Sequence, residues 1–139
     1  MTTIEMPPAF TWTVRVYYED TDAGGIVFYA NYLKFFERAR TEWLRAVGVS
    51  QQELAKDDGA IFVVKNTSVD YHAPARLDDV LDLTLRIQKL GRASVQFVQE
   101  ARCGATLLAS ASVKVGCVDA ATLRPRSLPD ATAAKMRAA

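Results

Sequence analysis

Histidine is almost absent from this chain: His72 is the only one among 139 residues. A serine or cysteine nucleophile activated by an imidazole would have to use it. It ends a predicted strand in Asp70-Tyr71-His72-Ala73-Pro74, where a structural part is the simpler expectation. Cysteine is scarce as well. Cys103 and Cys117 fit no metal or redox spacing and read as free, buried thiols in strands. A metal site would need both cysteines and His72 to converge from three strands, so none is expected. Charge of one sign is also missing. The net charge is +1, which makes no whole-chain case for a nucleic-acid or membrane-surface partner. No apolar run approaches the roughly 20 residues of a spanning helix, so no membrane insertion is expected. The opening MTTIEMPPAF lacks the basic-then-apolar pattern of a secretion signal. These absences together favour a cytoplasmic protein.

What is present is a change of hydrophobic period along one predicted domain, residues 1–139. Residues 1–10 read as a loose arm, with Pro7 and Pro8 blocking regular structure. Thr11 to Tyr18 alternates, placing Trp12, Val14, Val16 and Tyr18 on one face of a strand. From Asn31 to Val47 the steps become three and four, through Tyr32, Phe36, Ala39, Trp43 and Ala46, which predicts a long helix. Asn31 is its expected cap and Gly48 its stop. Arg38 and Glu42 are spaced to pair on its outer side. A partly helical stretch from Ser50 to Gly59 follows.

The rest alternates again, in Ile61–Tyr71, Val80–Leu90, Ser94–Arg102 and Leu107–Val118. Short turns at Gly91-Arg92 and Gly104 make antiparallel neighbours of the last three. Pro125 and Pro129 break the tail before a short helix from Asp130 to Arg137. One apolar helix beside one antiparallel sheet is an α+β layer arrangement.

The most unusual segment is Asp20-Thr21-Asp22-Ala23-Gly24-Gly25. Three readings compete. A polar turn is the common fate of such clusters. A calcium loop would need an oxygen ligand at its fifth position and Glu at its twelfth, where this chain has Gly24 and Asn31. That reading fails. The third makes Asp22 a catalytic carboxylate. About seven residues on, near Tyr29, the helix begins, with unpaired N–H groups and the positive end of its dipole. An acyl carbonyl docked there would be polarised, and a carboxylate facing it could attack it or activate water. Spacing alone leaves the polar turn favoured.

The residues Val14-Arg-Val-Tyr-Tyr-Glu-Asp-Thr-Asp-Ala-Gly-Gly-Ile-Val-Phe-Tyr-Ala-Asn-Tyr32, continuing through Phe36-Glu-Arg-Ala-Arg-Thr-Glu42, resemble the signature of 4-hydroxybenzoyl-CoA thioesterase-like hotdog proteins. With Tyr71-His-Ala-Pro-Ala-Arg-Leu-Asp-Asp79 and Arg124-Pro-Arg-Ser-Leu-Pro129, they are most similar to the Tol–Pal-associated acyl-CoA thioesterase branch. The resemblance spans about Val14 to Pro129. It implies a hotdog fold, a long helix wrapped by a curled sheet of about five strands. It implies hydrolysis of acyl-CoA thioesters with no cofactor beyond the substrate's own coenzyme A.

The family's catalytic aspartate falls on Asp22 and its backbone donor on Tyr29, with Gly25 and Asn31 beside the substrate. Lys89, Arg92, Arg124 and Arg126 are the expected partners of the CoA phosphates. Glu37 is the backup carboxylate, since some hotdog relatives carry theirs on the helix. Tyr29 departs from the branch, which often has histidine there, and this leaves the acyl group open. The family places its site between subunits, so a homodimer or homotetramer is expected. A non-catalytic module for acyl-CoA or acyl carrier protein is the alternative reading. An enoyl-CoA hydratase is disfavoured, because its Asp-x4-His pair would need histidine at Val27.

Overall fold

The computed structural model describes residues 10–139. The predicted arm therefore lies outside the described residues except for Phe10, which begins the first strand. The elements run β1 (Phe10–Arg15), a 3-10 turn (Tyr18–Asp20), α1 (Asn31–Ala46), α2 (Gln51–Glu53) continued by a wider turn (Leu54–Asp58), β2 (Ala60–Tyr71), β3 (Val80–Leu90), β4 (Ser94–Cys103), β5 (Thr106–Asp119) and α3 (Asp130–Arg137). The strands form one antiparallel sheet in the order β1-β3-β4-β5-β2.

Alternation along the strands decides which face the helix covers. Leu81, Leu83 and Leu85 of β3, Val95, Phe97, Gln99 and Ala101 of β4, and Ala109, Ala111, Val113 and Val115 of β5 are all buried. The apolar stripe of α1 meets them with Phe35, Phe36, Ala39, Trp43 and Leu44. Trp43 stands edge-on to Phe97, ring centres 5.5 Å apart. Pairing breaks at Val64/Asn66, Ile87/Lys89 and Ala101/Arg102. Such irregularities increase local twist and bend the strands, which curls the sheet about the helix. This is the hotdog arrangement.

Gln99 is fully buried in this apolar layer and is satisfied on both sides. Its amide nitrogen donates to the Phe36 carbonyl (3.0 Å), and its oxygen accepts from Arg40 (2.9 Å). It thus fixes the height of α1 over the middle of the sheet.

Four details differ from the sequence reading. The first strand ends at Arg15, and Tyr18 is 81% exposed instead of facing inward with Val16. The Asp20 carboxylate captures the Tyr17 N–H and bends the chain into the 3-10 turn. Asn31 is the first residue of α1, not its cap. Ala30 precedes it in a helical conformation, and the Asn31 amide is engaged elsewhere. Glu42 pairs with Arg45, one turn onward, in place of Arg38. Cys117 is buried as expected, whereas Cys103 is only half-buried; both are free thiols. Gly48 does end the helix, at φ +87°, with the Val49 N–H returning to Leu44.

Because Leu83 is fully buried between α1 and the sheet, its truncation leaves a cavity that these packed elements cannot close. Leu83→Ala is expected to lower unfolding free energy by about 2–5 kcal/mol. A chemical-denaturation midpoint unchanged from wild type would contradict this packing.

Candidate active site

The loop between β1 and α1 folds back on itself. The Asp22 N–H donates to the Ile26 carbonyl (2.9 Å), the Gly25 N–H donates to the Asp22 carbonyl (3.0 Å), and Thr21 bridges Val27. Gly25 sits at φ +78°, a conformation that a side chain would strain. Gly24 approaches Asp22 so closely that an added Cβ would lie 3.2 Å from its carboxylate oxygen. The two glycines thus let the chain turn tightly and leave space around the acid.

Asp22 is exposed, and its Oδ1 accepts the Gly24 N–H at 2.8 Å. Its other oxygen accepts no hydrogen bond among the described residues. The loop is held from outside by the connection between β2 and β3. The Val27 N–H donates to the Ala75 carbonyl (2.9 Å), and Ile26 bridges Arg76.

Asp20, two residues earlier, has the opposite character. It is 5% exposed, and both its oxygens are occupied. Oδ2 accepts from the Tyr17 N–H and Oδ1 from the Asn31 side-chain amide, each at 2.9 Å. Its carbonyl accepts the Phe28 N–H at 3.0 Å. One residue therefore joins the end of β1, the far side of the loop and the start of α1. Neither the Asp20–Asn31 pairing nor its consequence could be read from spacing, because no local periodicity marks two polar residues eleven apart.

At the helix start, the Asn31 N–H donates to Phe28 and the Leu33 N–H to Ala30. The Tyr29 N–H has no acceptor among the described residues. The Tyr29 carbonyl accepts from the Tyr71 hydroxyl at 2.8 Å, which orients that peptide from the other side. The Tyr29 ring is exposed and packs against Phe28 and Tyr71. Tyr71 also meets Tyr32, which is buried and whose hydroxyl accepts the Ala75 N–H. Burial raises the pKa of both phenols; for Tyr32 the Ala75 N–H opposes that rise, and for Tyr71 the neighbouring Tyr29 adds to it. Both hydroxyls therefore keep their protons at neutral pH. Tyr71 was missed by sequence reasoning, since its partner lies on a distant element.

The expected substrate contacts divide. Gly25, Asp22 and Tyr29 belong to one loop-and-helix unit. Asn31 lies in that unit but is buried, with its amide used by Asp20. Glu37 is exposed on α1, two turns further on. The basic residues gather elsewhere. Arg92 bonds Ser127 (2.9 Å), its carbonyl accepts the Leu128 N–H (2.9 Å), and Arg126 reaches the Asp58 carbonyl. Arg124 lies in the same tail, where its carbonyl accepts the Asp119 N–H, and Lys89 is exposed near the end of β3.

That cluster is at the opposite end of the sheet from Asp22. Arg15 pairs with Val80 and Tyr71 with Ala109 at the Asp22 end. The turn between β3 and β4 and the Ala60–Asp119 pair mark the other. The eleven residues of β3 separate them by roughly 33 Å. Within one protomer the basic residues and Asp22 are therefore not brought together. Among the described residues, no group of three His, Cys, Asp or Glu side chains is placed to hold a metal ion.

Loss of the Asp20 carboxylate would leave the Asn31 amide and the Tyr17 N–H without partners in a buried place. Asp20→Ala is expected to cost about 2–4 kcal/mol in denaturant melts. Solution spectra should also show shifted amide signals from Phe28 to Tyr32. An unperturbed helix start would refute this positioning part.

Residues 16–136 match the thioesterase-like superfamily. The acyl-CoA thioester hydrolase YbgC of Escherichia coli is 48% identical over 129 residues, covering 92% of this chain and 96% of that protein. The 1,4-dihydroxy-2-naphthoyl-CoA hydrolase of Nostoc punctiforme is 30% identical, covering 88% of this chain and 82% of that one. The crystal structure of a probable thioesterase from Bartonella henselae superposes with a TM-score of 0.82 at 35% identity, covering 86% and 98% of the two chains. With its helix start, its loop and nearly its whole length accounted for in this way, the chain belongs to the thioesterase-like superfamily of hotdog proteins.

Proposed function

We propose that this protein is an acyl-CoA thioesterase, hydrolysing the thioester to free acid and coenzyme A. The observation that carries the reading is the Tyr29 N–H, open at the start of α1 and following an exposed carboxylate on a rigid loop. The substrate carbonyl accepts the Tyr29 N–H, and the helix dipole stabilises the negative charge that develops on its oxygen. Asp22 either attacks the carbonyl carbon, giving an anhydride that water then hydrolyses to free acid, or takes the proton from a water that attacks that carbon. The open oxygen of Asp22 is the one available for this step, since Gly24 holds the other. CoA leaves as the thiol. No metal or organic cofactor enters the proposed reaction.

The placement of the basic cluster extends the proposal to the assembly. β2 is an edge of the sheet, twelve residues long, with Val64 and Tyr71 about half exposed on it. An edge of that length offers unpaired backbone groups to another strand. Antiparallel pairing of two β2 strands about a two-fold axis reverses one sheet relative to the other. The Ala60 end of one copy, with its Arg92, Arg124 and Arg126, then lies beside the Tyr71 end of the other, with its Asp22 and Tyr29. A homodimer of this kind unites the halves that a single protomer holds apart. The CoA phosphates then meet arginines from the second copy. Pairing of dimers into tetramers and a cytoplasmic location belong to the same reading. An acyl carrier protein could take the place of CoA at this site.

Thiol release from aliphatic and aromatic acyl-CoAs tests the reaction. Asp22→Asn is expected to lower kcat by about 10²–10⁴-fold with KM little changed. Equal rates in wild type and variant would remove Asp22 from the chemistry. Tight acyl-CoA binding without turnover on the whole panel would favour a binding module instead.

The shared site has its own test. Asp22→Asn and the double variant Arg124→Glu/Arg126→Glu are each expected to be impaired. After subunit exchange, mixed dimers carry one intact site, and about a quarter of wild-type activity should return. No recovery in verified mixed dimers would mean that each site draws its residues from one chain.

A further inference from the structure

A cavity of about 210 Å³ opens beside the C-terminal half of α1, between that helix and β2, β4 and β5. Leu44, Phe62, Val95, Phe97, Val115 and Met136 form its apolar side. Arg40 is the one cation among the lining residues, on the polar side of the cavity with Glu37, Thr41 and Gln51. It is three turns of helix beyond the Tyr29 peptide, about 14 Å along the axis from Asn31.

Arg40 is out of balance with its surroundings. Its guanidinium donates to Gln99 at 2.9 Å, a neutral acceptor. Among the described residues it forms no ion pair; the pairs present are Glu42–Arg45 and Glu100–Arg102. Burial lowers its pKa, and Glu37, at the cavity rim, acts from beyond ion-pair distance to raise it. A partly buried guanidinium ordinarily has a carboxylate or phosphate in its fork. Here one arm is fixed by Gln99, itself locked to Phe36, and the remaining donors meet no acceptor among the described residues. None of this is required by the reaction proposed for Asp22 and Tyr29.

We propose that this cavity binds a carboxylate carried on an apolar body, with the carboxylate on Arg40 and the body against Leu44, Phe97 and Met136. Two sources share that chemistry. One is a free carboxylic acid, such as thioester hydrolysis releases, bound on Arg40 with no thioester at Tyr29. The other is the distal carboxyl of a dicarboxylic acyl group whose thioester sits at Tyr29. The second rests on the thioesterase reading, and the first does not. Exposed Glu37 at the rim works against an anion at long range, so its neutralisation should strengthen binding.

Calorimetric titration of the wild-type protein with octanoate and with octan-1-ol tests the charge without any substitution. Octanoate is expected to bind at least about tenfold more tightly, the worth of a charge-assisted pair. Arg40→Gln, which keeps a donor for Gln99, should abolish that preference while leaving octanol binding near wild type. Glu37→Gln should increase octanoate affinity. Equal affinity for octanoate and octanol in the wild type, or no octanoate binding at millimolar concentration, overturns the proposal even if Arg40→Gln does not fold. The sources separate by kinetics. A kcat/KM for suberyl-CoA above that for octanoyl-CoA, lost in Arg40→Gln, assigns the distal carboxyl. Octanoate binding without that preference assigns the free acid. Octanoyl-CoA turnover in the wild type reports on the thioesterase reading independently.

Discussion

The site depends on one buried carboxylate that does no chemistry. Asp20 receives the Tyr17 N–H on one oxygen and the Asn31 amide on the other, and its carbonyl takes the Phe28 N–H. Burying a carboxylate is unfavourable unless its lone pairs are satisfied, so the arrangement is close to all-or-none. Once formed, it fixes where β1 stops, how the loop returns and where α1 begins. Asp22 and the Tyr29 peptide inherit their relation from that junction. Two acids in Asp20-Thr21-Asp22 therefore divide the work by environment. The buried one is spent on positioning, and the exposed one keeps an oxygen open.

The second constraint is the direction of the sheet. Every strand is antiparallel to its neighbours, so each protomer has two distinct ends. The loop and helix start occupy one, and the arginines of the tail occupy the other. No flexing of a packed sheet would bring them together across roughly 33 Å. A two-fold axis does so with no distortion, because reversal is what the axis supplies. The β2 edge, unpaired among the described residues, and the separated halves of the site are thus two aspects of one geometry. A sheet that ended in a covered strand would leave the acid and the tail arginines permanently apart.

Much of the fold was legible because it rests on period. The steps of three and four through Tyr32, Phe36, Ala39 and Trp43 located α1 within a residue or so of its observed bounds. The alternations in Val80–Leu90 and Leu107–Val118 located β3 and β5. Where long-range hydrogen bonds decide, the sequence pattern fails. Tyr18 continues the alternation of β1 yet points to solvent, because Asp20 captures the Tyr17 N–H and turns the chain. Asn31 has the composition of a cap but donates sideways into the interior. Of the site, Asp22 and Tyr29 stood out only through family resemblance, since Asp and Gly beside a turn carry no functional mark of their own. The roles of Tyr71, Gln99 and Arg40 had no local signal, their meaning being a partner on another element.

Helix α1 is where these observations meet. The open Tyr29 N–H lies just before its first turn, its middle is anchored to the sheet through Phe36 and Gln99, and its third turn presents Arg40 to the cavity beside β2. Gln99 touches both the helix backbone and the guanidinium, so the height of the helix and the aim of Arg40 are set together. A change that lifted α1 from the sheet would disturb the cation at one end and the peptide donor at the other. The apolar stripe supplies most of the adhesion, but it is indifferent to small slides along the axis. Hydrogen bonds at Asp20 and Gln99 are directional and are not. Packing therefore decides that the helix lies on the sheet, and these two buried polar residues decide where along the sheet it stops.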